Sequence, residues 1–293
     1  MNWEFLRSDE MQAAIEKSGG LCVLPIGCTE RHGPHMPLGT DSLQVKVHAE
    51  MAAEIEDAVI FPTAMWLGDM VGVHGHPRGA EINHGAICLN PQTLLTILEE
   101  LCDEIARNGF RKILIVNCHG GNTSMLSFFL RAQGYKNKNY ATMVTNSYDK
   151  VIGKAPAIYE HFMENRAEYP MLTDADMAVL KDFAERPDGF GGGHAHFMET
   201  AWIMGAYPGL IAEDRFELEN GYSTGRSKHL QELGVSVTRQ WAADYPYAYS
   251  GHPSTGCTET IGQAFNLYCA KRLAKIYKVL KEDEECVRIA TGK

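Results

Sequence analysis

The sequence predicts an α/β fold built on parallel strands, and three observations carry the prediction. Short apolar runs at 21–26, 58–61, 112–117 and 140–145 alternate with segments of helical period. The clearest run, KILIVN at 112–117, is β-branched and unalternating, the pattern of a central parallel strand covered on both faces. Loops rich in glycine and histidine follow the runs at 21–26 and 112–117. In open α/β sheets that place, past the carboxyl ends of the strands, is where ligands bind.

The chain has 293 residues, 45% apolar and 22% charged, which suits a soluble globular protein able to bury a substantial core. No apolar run approaches the ~18 residues of a membrane span. The first residues, MNWEFLRSDEM, lack the basic and apolar regions of a secretory signal. Eight scattered cysteines with no CxxC pair fit free thiols in a reducing, cytoplasmic setting. The net charge of −10 is spread along the chain, which disfavours nucleic acid or an anionic membrane as the main partner and says little else. No Walker A loop and no GxGxxG after a strand is present, so nucleotide cofactors lack support.

Taken in order, residues 3–18 read as a helix with Phe5, Leu6, Met11, Ala14 and Ile15 inward. After the first strand, Thr40 or Asp41 can cap a helix to about Glu56, with Leu43, Val47, Met51 and Ile55 on its apolar stripe. A second short strand spans 58–61 and ends at Pro62. The irregular stretch 65–90 holds His74, His76 and His84 among glycines and suits a binding loop. Asn90-Pro91 open a helix with Leu94, Leu95, Leu98, Leu101 and Ile105 inward, closed by Asn108-Gly109. The strand at 112–117 then leads into a helix over 125–132, and another strand follows at 140–145. Residues 150–190, rich in charge and proline and with a helix from Asp174 to Ala184, read as an insertion or lid within a single domain of 1–293. A turn at 251–256 and a long helix from Thr258 to about Leu280 close the chain.

Three loops carry candidate chemistry. The segment LPIGCTERHGPHMPLGTD, residues 24–41, gathers Glu30, His32, His35 and Asp41 among glycines and prolines that forbid a helix. Side chains two apart share a face in extended chain, so Glu30 and His32 can point together, and the loop can return Asp41 toward them. One Glu, one or two His and one Asp suit a divalent cation; the alternative is a polar loop whose histidines hydrogen-bond locally. His119 stands directly after the strand at 112–117, beside Gly120 and Gly121, where backbone can approach a bound group. His194 and Glu199 follow the glycine run 189–193, and Glu199 opens an apolar segment where a carboxylate needs a partner or a metal.

Together, PIGCTERHGPHMPLGTD, VNCHGGNTS and GGGHAHFMETAW resemble, in order, the motif set of the creatininase (creatinine amidohydrolase) family, and GHPSTGCTETIGQAF resembles its closing turn and helix. The resemblance implies a single-domain, three-layer α/β/α sandwich, a homo-oligomer (often a hexamer), a site for two divalent metal ions (Zn, or Mn or Fe), and hydrolysis of a C–N bond in a cyclic or small amide. By motif position it makes Glu30, His32, Asp41, His119 and Glu199 metal ligands, with Asp41 bridging. His194 becomes the general acid/base, and Gly120 and Phe190 fall at substrate-facing positions. Creatininases carry His-Tyr-Glu-Asn where this chain has His119-Gly120-Gly121-Asn122, which resembles HGGN-type members acting on formamides, peptides or cyclic ketones. The expected reaction is attack of a metal-activated water on a carbonyl, with His194 moving the proton. The alternatives are hydrolysis of an inositol-derived cyclic diketone, a one-metal sugar or polyol isomerase or lyase, and a non-catalytic metal-binding protein.

Overall fold

The computed structural model describes residues 1–64, 67–68, 84–87 and 89–292. His74 and His76 lie outside the described residues; His84 is exposed. Four strands form one parallel sheet in the order β2-β1-β3-β4: β1 Leu21–Ile26, β2 Val59–Ile60, β3 Lys112–Asn117 and β4 Ala141–Asn146. Every residue of β1 and β3 is buried, as the unalternating pattern predicts for strands covered on both faces.

Alternate side chains divide between two layers of helix. Cys22, Leu24, Ile26, Ile113 and Ile115 face a core shared with α1 (Met11–Lys17), α3 (Pro91–Arg107) and α4 (Asn122–Gln133). Leu21, Val23, Leu114 and Val116 face the other way, onto α2 (Thr40–Ile55) and a long helix near the C-terminus. The three-layer α/β/α architecture follows from that division.

Some elements differ from the sequence reading. The expected helix over 3–18 is broken: Leu6 turns extended after a short 3₁₀ turn at Trp3–Phe5, and Phe5 is 76% exposed. In α2 the buried face is Asp41, Gln44, Val45, His48, Ala49 and Ala52, while Ile55 of the expected stripe is 53% exposed. The buried polar groups there have partners: His48 Nε2 meets Asn266 Oδ1 at 3.0 Å, and Gln44 Nε2 donates to the Glu199 carbonyl at 3.3 Å. The apolar stripe thus lies at the flank of the buried face, with Leu43 and Met51 partly buried against the core, and the centre of that face is set by paired polar groups.

Residues 150–190 contain two helices, α5 (Ala155–Glu164) and α6 (Asp174–Glu185), the second opened by a Thr173–Asp176 capping box. Ile158, Phe162, Leu180 and Phe183 bury themselves with Trp202 of α7 (Phe197–Ala206) and with Phe265. Two short helices, α8 (Lys228–Gln231) and α9 (Gln240–Asp244), precede the long α10 (Glu259–Glu282), which Thr258 caps, and α11 (Glu285–Thr291) follows. A Cβ on Gly262 of α10 would lie 2.0 Å from the Ala201 carbonyl and 2.4 Å from Gly205 N. Glycines at this crossing let α7 seat deep against α10, which carries Glu199 inward.

Candidate metal centre

Register sets the frame. Ile26 of β1 pairs with Asn117 of β3, so the loops after both strands leave the sheet side by side. A Cβ on Gly27 would stand 2.5 Å from Ser42 N and 2.7 Å from Asp41 C, so glycine there lets the first turn of α2 close on the end of β1. Asn117 braces the neighbouring loop: its Nδ2 donates to the His119 carbonyl at 2.8 Å, and its Oδ1 accepts from His119 N at 3.2 Å. Ala195, at φ +59°, turns the chain between His194 and Glu199, and its N–H donates to Glu199 Oε2 at 2.5 Å. Asp41 and Glu199 each stand in the first turn of a helix, where the macrodipole favours a carboxylate.

The five side chains from three distant segments meet. His32 Nε2 is 3.1 Å from Asp41 Oδ1 and 3.9 Å from Glu199 Oε2. His119 Nδ1 is 2.9 Å from Asp41 Oδ2 and 3.0 Å from Glu30 Oε1. Glu30 Oε1 and Asp41 Oδ2 nevertheless have no aligned hydrogen-bond donor, although both are buried. Two groupings of ligand-type atoms, each within 4.8 Å, share Asp41: Glu30, Asp41 and His119, joined by Cys28, and His32, Asp41 and Glu199. Three buried carboxylates this close, two of them with an orphaned oxygen, fit a site for divalent cations.

The electrostatics describe the same grouping. Burial alone would raise the Glu30, Asp41 and Glu199 carboxyls, yet each stays below the ordinary carboxylate value because imidazoles surround it: His119 and His194 at Glu30, His32 and His119 at Asp41, His196 and His32 at Glu199. Burial opposes charge on His32 as well, but Asp41, Glu199 and Glu30 outweigh it and lift the imidazole to about 9. His119 is lifted well above its ordinary value, against burial, by Glu30 and Asp41. Arg31, between the two loop residues, sends its guanidinium away to Glu219 at 2.7 Å.

His194 belongs to the grouping without touching it closely. Its Nδ1 is 3.8 Å from Glu30 Oε1, while Nε2 lies 2.8 Å from the Arg31 carbonyl. A carbonyl only accepts, so Nε2 carries the hydrogen and the Nδ1 lone pair faces the carboxylates. Burial and the facing His32 hold its pKa below the ordinary imidazole value.

Other expectations resolve differently. His35 of the first motif is aimed elsewhere: its Nε2 meets Thr200 Oγ1 at 3.0 Å, and Thr200 in turn meets Ser254 Oγ at 2.7 Å. Phe190, placed by motif position toward the substrate, is 3% exposed and stacks on Phe197 in the core, with ring centroids 5.6 Å apart. The glycines after it allow that turn inward. His194 meets the His32 ring and an aromatic side chain that no motif assigns: Trp241 of α9 stands edge-on to it at 5.1 Å and is 39% exposed. The aromatic run around Trp241 (WAADYPYAY) is the sequence signal for it, and it lies outside every motif. The two-residue period joining Glu30 to His32 reaches back to Cys28, which is the sequence signal for that thiol. Gly120 is exposed, with open space where a Cβ would project.

The family model "Creatinine amidohydrolase" (Creatininase) matches residues 4–277. A creatinine amidohydrolase of Pseudomonas putida is 24% identical over 216 residues, which is 70% of this chain and 72% of that protein. A mycofactocin precursor peptide peptidase of Mycobacterium tuberculosis is 32% identical over 117 residues, 38% of this chain and 46% of the peptidase. Among solved structures, a manganese creatininase ("Creatininase Mn") superposes with TM-score 0.66 at 20% identity, covering 96% of this chain and 99% of that one. With the family model spanning nearly the whole chain and its motifs converging on one buried cluster, this chain belongs to the creatininase family of metal-dependent amidohydrolases.

Proposed function

We propose that the chain is a two-metal hydrolase that cleaves the carbonyl–nitrogen bond of a small amide, formamide or peptide-like substrate. The observation that carries this reading is the pair of ligand groupings sharing Asp41. Glu30, Asp41 and His119 would hold one divalent ion, zinc or manganese, and His32, Asp41 and Glu199 would hold the other. When bound, such ions lower the pKa of water and polarise a carbonyl. His194 supplies the proton movement: its Nδ1 lone pair faces the cluster, takes a proton from the attacking water and returns it to the leaving nitrogen. The Arg31 carbonyl fixes the tautomer and ring orientation that this requires. Open space at Gly120, where creatininases have tyrosine, suits a substrate larger than creatinine, and the similarity to a peptide peptidase points the same way.

The chain works as a homo-oligomer in a reducing compartment. Phe128 and Tyr135 on and just beyond α4, 60% and 91% exposed, are apolar surface that a second copy would cover.

Metal analysis of the purified protein and of Asp41→Ala tests the core of the reading. Wild type should carry about two ions per chain and turn over members of an amide and formamide panel, whereas the variant should hold neither ion firmly and be inactive. Full metal content in Asp41→Ala would refute the shared ligand, and a solvent ¹⁸O label missing from the product would refute hydrolysis.

A further inference from the structure

We propose that Cys28 is a thiolate ligand at the ion position framed by Glu30, Asp41 and His119, and that it makes this position choose a thiophilic cation, zinc or cobalt, over manganese or magnesium. The inference rests on the two-ion reading above and adds a donor to it. The ligand-type atoms of Cys28, Glu30, Asp41 and His119 all lie within 4.8 Å of one another, and all four residues are buried. Independently of the thiol, Glu30 Oε1 and Asp41 Oδ2 are buried oxygens without an aligned donor in the same grouping. Backbone holds the thiol in place: a Cβ built on Gly68 would fall 2.8 Å from Cys28 Sγ and 2.6 Å from its Cβ, so glycine at 68 packs directly behind it.

Coordination chemistry then separates the two ion positions. Zinc accepts thiolate, imidazole and carboxylate together, whereas manganese and magnesium prefer oxygen donors. Cys, Glu, Asp and His supply four protein donors, the number that closes a tetrahedral zinc site. The neighbouring position has three, His32, Asp41 and Glu199, the number that leaves one place open. The Cys28 position therefore anchors, and the neighbouring one receives substrate. On binding, the thiol proton passes to solvent and the sulfur lone pair forms the new bond, with no change in oxidation state.

Cobalt(II) substitution of the full-length protein tests this by absorption. Sulfur-to-cobalt charge transfer gives a near-ultraviolet band, and any bound low-symmetry cobalt(II) gives visible d–d bands. Wild type should show both. Cys28→Ser and Cys28→Ala should keep bound cobalt and the visible bands and lose the near-ultraviolet band. Cys118→Ser, whose native thiol donates to Gln44 Oε1 at 3.1 Å, should keep it. In dialysis against mixed zinc and manganese, the zinc preference should fall by about tenfold or more in Cys28→Ser, the lower end of what altering a metal site's surroundings costs. Visible bands without the near-ultraviolet band in wild type would overturn the thiolate ligand and leave the two-ion reading intact. Failure to bind cobalt at all would overturn both.

Discussion

His32 Nε2 and Asp41 Oδ1 meet at 3.1 Å in a place where both side chains are almost wholly withdrawn from water. A proton on the imidazole is what balances the carboxylate in that contact, and it is the proton a metal ion must displace. His32, lifted to about 9, and His119, lifted well above its ordinary value, are both protonated at pH 7 in the metal-free protein. Metal binding should then release up to about two protons per chain from these imidazoles. Apparent affinity should climb with pH up to about 9, because protons compete less as pH approaches the His32 value. Calorimetric titration in buffers of different ionisation enthalpy measures the release; buffer-independent heats would contradict it.

Glu199→Gln separates the two ion positions. It removes a donor from the His32, Asp41 and Glu199 grouping and leaves Glu30, Asp41 and His119 complete. The variant should retain about one ion per chain and lose activity. Retention of both ions at wild-type affinity would take Glu199 out of the ligand set.

His194→Asn should keep the wild-type metal content and lose on the order of 10²–10⁴ in kcat, the range for a displaced general acid or base. The lowered pKa of His194 gives the sign of the pH dependence. The neutral ring accepts the proton, so kcat/KM should fall as pH drops through a value below ~6.5, the ordinary imidazole value. A variant with an unaltered acid limb would show that another group takes the proton.

Trp241→Ala should raise KM with little change in kcat or thermal stability. The ring is partly exposed and stands against His194 only through its edge, 5.1 Å away. An equal loss in kcat would mean that Trp241 positions His194 rather than substrate.

His48 controls acid stability away from the cluster. Burial lowers it to about 4, against the support of Asn266, so the folded chain refuses a proton that the unfolded chain accepts below the ordinary imidazole value of 6.5. Stability should decline as pH falls from about 6.5 to 4, with about 3 kcal/mol lost to this group. His35, also lowered to about 4 by burial, adds in the same direction. Urea unfolding of His48→Gln across that range should show a shallower decline; a slope equal to wild type would exclude His48 as a source.

Some of the molecule was legible from local pattern. The strands at 21–26 and 112–117, the capped helix at 174 and the long helix after Thr258 are set by neighbours in sequence: β-branched runs, a threonine cap, an apolar period. The clustered Glu, His and Asp side chains were legible only as candidates, because such a loop can equally hold histidines that hydrogen-bond locally, as His35 does with Thr200. Other features were not readable that way. The face of α2 that turns inward mixes Val45, Ala49 and Ala52 with the polar Asp41, Gln44 and His48, and it could be chosen only once Asn266, Cys118 and the Glu199 carbonyl stood opposite it. Phe190 stands between Gly189 and the run Gly191 to Gly193 and could have turned either way; the Phe183 and Phe197 rings decided it.

By itself the sequence determined the parallel α/β architecture and which side chains are able to bind a cation, since both follow from residue type and short-range spacing. Only the tertiary structure decided that Cys28 joins one of the two groupings around Asp41 and that Trp241 faces His194. Those relationships join segments far apart in the chain, and they arise from sheet register and from glycine-permitted close approach, neither of which any local stretch encodes.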